Sequence, residues 1–147
     1  MRKILRLVAA TLLAIPAVSY ACATNESLIF SCTTKKMKAV EVCDAKKTIK
    51  YSYGKKDSTP ELVLSVPRNE VTTTQWSGIG SSMYYDVSIP NGKTVYTVYW
   101  DAEKDAEEGE VSAGISVDVD GKNAADVQCD MKTVEQNLEG VELRQAE

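Results

Sequence analysis

The sequence has no histidine. That absence excludes the Ser-His-Asp and Cys-His arrangements of most hydrolases and the commonest general base near neutral pH. Its four cysteines include no Cys-x-x-Cys spacing, so without imidazole ligands a zinc site is not expected, and neither is any other metal or cofactor. Basic residues are the minority, 17 against 21 acidic, giving a formal charge of −4. Nucleic-acid binding rests on basic patches that release counterions, so it is not expected of this chain. Runs of helical period are few, and no internal repeat or low-complexity segment is present.

What is present begins with an export signal. "MRKILRLVAATLLAIPAVSYACA" places Arg2, Lys3 and Arg6 before the apolar run Ile4 to Ile15, then Pro16 and small residues, the order of a secretory signal peptide. The apolar run is shorter than the roughly 18–20 residues that cross a bilayer, so no stable transmembrane span is expected after cleavage. Ala21 and Ala23 favour a cut after Ala23, which divides the chain into a signal at 1–23 and one mature domain at 24–147. Cleavage after Ala21 would instead leave Cys22 as the N-terminus. Lipidation at Cys22 is less favoured, because Ser19-Tyr20-Ala21 is a poor lipobox. Losing three basic residues takes the formal charge from −4 to −7, which suits a basic protein or a cationic surface as partner. In the periplasm, or outside the cell, the local pair Cys32 and Cys43 is the expected disulfide. Cys129 is then left as a buried thiol, or pairs with Cys22 if the cut falls after Ala21.

Alternation of apolar and polar residues dominates from Leu28 onward. "SLIFSCT", "TIKYSYG" and "ELVLSVP" read as strands, with Leu28, Phe30 and Cys32, then Ile49, Tyr51 and Tyr53, then Leu62, Leu64 and Val66 on their inner faces. In "YYDVSIPNGKTVYTVYW" a two-residue Asn91-Gly92 turn sets Val87 opposite Tyr96 and Tyr85 opposite Val98. In "VDVDGKNAADVQC" a three-residue loop, Val119-Asp120-Gly121, keeps one face apolar by opposing Ile115 to Ala125 and Ala113 to Val127. "DAEKDAEEGE" reads as a charged loop. "TVEQNLEGVEL" has Val134 and Leu138 at helical spacing, which predicts one short helical turn near the C-terminus. The expected fold is all-β, a single antiparallel sandwich or small barrel built from hairpins.

No segment forms a diagnostic catalytic motif, and an enzyme is not expected. A glycosidase needs only two carboxylates across a cleft, but most Asp and Glu lie in the charged loop or the tail. "DVDGKN" lacks the remaining ligands of a calcium loop. The segment that invites a functional reading is "WSGIGSSMYYDV". Gly78 and Gly80 with Ser77, Ser81 and Ser82 make a connection between strands, with Trp76 tucked against the core, or a flexible tip flanked by Trp76 and Tyr84 that enters a partner's groove.

At these residues the chain resembles the bacterial C-type lysozyme inhibitors, small exported β-barrels with a disulfide whose Ser-Gly-x-x-Tyr motif inserts into the lysozyme cleft. Ser77-Gly78 is followed here by Ile79-Gly80-Ser81, with no tyrosine in place, while Ser81-Ser82-Met83-Tyr84 keeps the Ser-to-Tyr spacing without the glycine. The match covers this loop and the general architecture. The chain is also similar to small exported Gram-negative β-proteins of unassigned function. The resemblance implies a non-enzymatic envelope protein that binds another protein, a basic wall hydrolase or a toxin, through Trp76, Ser77, Gly78, Ser81 and Tyr84. The alternative is a structural or accessory subunit of an envelope assembly.

Overall fold

The computed structural model describes residues 22–104 and 110–147. The signal segment up to Ala21, and the middle of the acidic run, residues 105–109, lie outside the described residues.

Among the described residues eleven strands form two sheets. The first has the order β10-β1-β2-β3-β4, from β1 (Ser27–Thr33), β2 (Lys38–Asp44), β3 (Thr48–Lys55), β4 (Leu62–Pro67) and β10 (Glu135–Gln136). The second has the order β11-β5-β6-β7-β8-β9, from β5 (Thr72–Thr73), β6 (Ser82–Asn91), β7 (Thr94–Glu103), β8 (Val111–Val119), β9 (Lys122–Gln128) and β11 (Arg144–Gln145). All pairings are antiparallel except β11 with β5. The sheets pack as a sandwich and do not close into a barrel.

The core lies between them because the alternation is real. Phe30, Val42, Ile49 and Tyr51 point inward from the first sheet and Val87, Ile89, Val98 and Ile115 from the second, each at most 1 % exposed. Each such side chain contributes about 1.5–3 kcal/mol through removal from water. Tyr51 stacks on Tyr96 at 5.2 Å. A bulge between Leu28 and Phe30 buries both Ile29 and Phe30, which strict alternation from Leu28 does not foresee.

Both hairpins differ in register from expectation. The first turn is Gly92-Lys93, flanked by the pair Asn91 and Thr94; Gly92 has φ 61° and Lys93 is not among the positive-φ residues, the pattern of a type II′ turn with glycine first. Val87 therefore faces Val98, and Tyr85 faces Trp100. The slip is two residues, so every side chain keeps its face. The second turn is the two-residue Asp120-Gly121, both at positive φ, as in type I′. A bulge at Ala124 of β9, opposite the Val117–Asp118 step, then places Ile115 opposite Val127. That bulge gives the apolar face which the three-residue loop was invoked to provide.

The disulfides are Cys22–Cys43 and Cys32–Cys129, not Cys32–Cys43. Cys32 faces Val40 while Cys43 faces Leu28 in the same ladder. The two are thus several residues apart along neighbouring strands, and Cys32 belongs to the inner core cluster while Cys43 does not. Sequence proximity cannot overcome that geometry. The preferred cut after Ala23 would discard Cys22, a partner in one of these bonds.

The helical turn falls before Val134, not across Val134 to Leu138. Met131–Thr133 make a 3-10 turn, after which Gln136 pairs with Phe30. Asn137 donates its backbone N–H to Ile29 O at 2.7 Å and its side-chain amide to Leu28 O at 3.0 Å. Donors that a helix would use internally are spent on β1, and Leu138 is fully buried.

Candidate functional site

The connection from β5 to β6 is a hydrogen-bonded loop at one end of the sandwich. Its entrance is held by Gln75, whose Nε2 donates to Leu138 O at 2.8 Å and to Thr73 Oγ1 at 2.9 Å. Gln75 Oε1 accepts from Gly140 N at 2.8 Å. The indole Nε1–H of Trp76 donates to Ile79 O at 3.0 Å and folds the chain back on itself. The Lys104 ammonium lies 3.7 Å from the Trp76 ring centre, a cation–π contact, and Lys104 N donates to Ser81 O at 2.7 Å. Gly78 and Gly80 sit at φ 87° and 102°, where a side chain brings strain. Between them Ile79 is 82 % exposed.

The five residues singled out from sequence divide into three roles. Ser77, Gly78 and Ser81 are exposed on the loop. Trp76 is partly buried against the core and acts as the strut beneath the tip. Tyr84 lies in β6, on the outer face of the second sheet, with its ring 6.2 Å from that of Tyr99. Burial, reinforced by the neighbouring Asp86 carboxylate, pushes the Tyr84 hydroxyl well above the usual tyrosine range, so it is an uncharged hydrogen-bonding group at physiological pH. Burial also raises the Asp86 carboxyl, although Thr74 N donates to it at 2.7 Å.

Sequence reasoning missed Ile79. Its signal is an aliphatic residue bracketed by two glycines, which no strand or core pattern requires.

Beside the loop a cleft of about 600 Å³ opens at the same end of the sandwich. Ser82, the residue after the loop, pairs with Glu103, and its hydroxyl hydrogen-bonds Asp101; both acidic residues line the cleft. Cys129 also lines it, so the disulfide to Cys32 fixes its floor. The acidic run is therefore not a loop throughout, since Asp101 to Glu103 complete β7.

The other group of chemical interest lies at Cys43 and Glu41. Glu41 Oε1 is 3.5 Å from Cys43 Sγ, and burial, with a smaller push from Glu26, raises its carboxyl to about 7. With both sulfurs in the Cys22–Cys43 bond, the cluster of Cys22, Cys43 and Glu41 offers no thiolate to a metal. No family model, curated protein or solved structure matches the chain, and the site stands on its own residues.

Proposed function

We propose that this is an exported, non-enzymatic envelope protein that binds another protein through the Trp76 to Tyr84 segment, with Ile79 as the inserted residue, and that it blocks a cationic wall-degrading enzyme. The carrying observation is the Gly78-Ile79-Gly80 tip. A hydrogen-bonded tryptophan presents this large aliphatic side chain to water at the end of the sandwich where the cleft opens, and docking would remove its apolar surface from water. A pre-shaped tip loses little conformational entropy on docking. Export to an oxidising compartment accords with the two disulfides. An acidic mature chain would be steered toward a basic enzyme. An immunity protein against a periplasmic toxin would use the same surface.

The test is lysis of purified cell walls by a panel of lysozymes with and without the oxidised mature protein. Stoichiometric inhibition is expected, and Ile79→Asp should abolish it while leaving the melting temperature unchanged. Wall cleavage by the protein alone, or inhibition unaffected by Ile79→Asp, overturns the reading.

A second reading, an accessory subunit of an envelope assembly, has one observation in its favour. The edge strand β4 ends its sheet and carries Val63 at 63 % exposure, a place where another strand could add. Self-association in sedimentation that Val63→Lys removes would favour it.

A further inference from the structure

Six large apolar side chains are exposed among the described residues: Met37, Val63, Ile79, Val111, Val119 and Met131. Four of them gather at one end of the sandwich. Met37, Val111 and Met131 line the cleft, and the loop that carries Ile79 adjoins it through the pairing of Ser82 with Glu103. Single exposed apolar residues need no explanation; a convergence of them around a cleft marks an interaction surface.

The charge of the same cleft selects the occupant. Four carboxylates line it, Asp101, Glu103, Glu110 and Asp130, against one cation, Lys35. A hydrophobic or acidic ligand would meet uncompensated negative charge. A lysine or arginine side chain suits both features, since its methylene stem can lie on methionine while its charged head remains near carboxylates and water. Methionine is flexible enough to adapt to either stem.

We infer that the cleft receives a cationic segment of the partner protein, an extended stretch in which lysine or arginine alternates with apolar residues, while Ile79 docks beside it. This rests on the reading that the loop binds a protein, and adds a second contact with a different chemistry. The segment would place its basic heads toward Glu103 and Glu110 and its stems on Met37 and Met131. Binding by this arrangement should weaken steeply with ionic strength, which docking of Ile79 alone would not.

The probe is a ten-residue peptide of alternating lysine and leucine, titrated into the oxidised mature protein and followed by amide chemical shifts. The expected shifts cluster at Thr33 to Met37, Glu110 to Ser112 and Gln128 to Met131. A Glu103→Gln, Glu110→Gln double variant should weaken the peptide about tenfold, from the loss of two exposed charge pairs. Met37→Asn, a residue that tolerates the left-handed backbone found there, should weaken it further. Shifts centred elsewhere, or affinity unchanged in the double variant, would sink the inference. The inhibited lysozyme, used as a second probe, separates the two readings. Loss of binding in Ile79→Asp alone, with the double variant unaffected, leaves the loop reading standing and removes the cleft. A peptide that maps to the cleft while no lysozyme is bound supports the cleft and removes the wall hydrolase as partner.

Discussion

Glu41 shows how one carboxyl reports on its surroundings. Burial raises it to about 7 from an ordinary 4.5, so the folded chain holds this proton more tightly than the unfolded chain does. The corresponding stability is complete below about pH 4.5 and is lost as pH rises through about 7. Glu41→Gln should therefore gain stability over the native chain at pH 8 but not at pH 4, by roughly 1 kcal/mol after allowance for partial solvent exposure. Thermal melts of both proteins at the two pH values check this; equal differences at both would show that Glu41 ionises normally. Ile79 teaches the complementary lesson. Its placement was legible only in the glycines beside it, because exposure of an apolar residue leaves no periodic trace. The role of Trp76 was legible in one half, a tryptophan tucked against the core, and its hydrogen bond to Ile79 O depends on a fold-back that composition does not encode.

At the scale of elements, the strands were legible because alternation states which face is buried, and a slip of two residues does not disturb it. Thus the face bearing Tyr85, Val87, Tyr96 and Val98 was correct although the turn was not. What escaped were the bulges in β1 and β9, which insert a residue without changing composition. Val134 and Leu138 misled in another way, since their spacing fits a helix but the unpaired edge of β1 captures the backbone. Packing between strands also fixes Gly114. A methyl group there would lie 2.4 Å from Val127 O and 2.9 Å from Tyr99 Oη, while Gln128 Nε2 holds that hydroxyl at 2.8 Å. Backbone of β9 and the ring from β7 leave β8 no room at this position. Gly114→Ala is expected to cost about 1–3 kcal/mol, read as a lower midpoint in urea with an unchanged slope.

For the whole molecule, the cysteine count was legible and the pairing was not, because pairing depends on which face each strand presents. Cys32–Cys129 spans 97 residues and Cys22–Cys43 spans 21. In the chain-entropy account the longer closure is worth about 4–5 kcal/mol and the shorter about 3. Replacing Cys32 and Cys129 together by alanine should lower stability more than replacing Cys22 and Cys43, as measured by denaturant unfolding of each double variant. The shorter bond also bears on maturation. Were the signal removed after Ala23, Cys43 would keep no partner, and an acyl chain on Cys22 would occupy the same sulfur. Under the proposed export, the intact mass is expected to correspond to a chain starting at Cys22, unacylated and four hydrogens lighter than its fully reduced form. A start at Thr24 or an added lipid mass rules this out.

The opposite end of the sandwich carries the Cys22–Cys43 bond and, beside it, a charged clasp. There the Arg68 guanidinium clasps Asp44 at 2.6 and 2.9 Å and also reaches Lys46 O and Glu142 O, joining the β2–β3 turn to the C-terminal segment. Its hydrogen bonds hold the Asp44 carboxyl below the usual range, so this clasp persists above about pH 4 and loosens only as pH falls further. The clasped end thus answers to acid, while each end carries one disulfide open to reductants, Cys22–Cys43 beside Asp44 and Cys32–Cys129 at the cleft. Acid would therefore act on the clasp, whereas a thiol-rich environment would act at both ends.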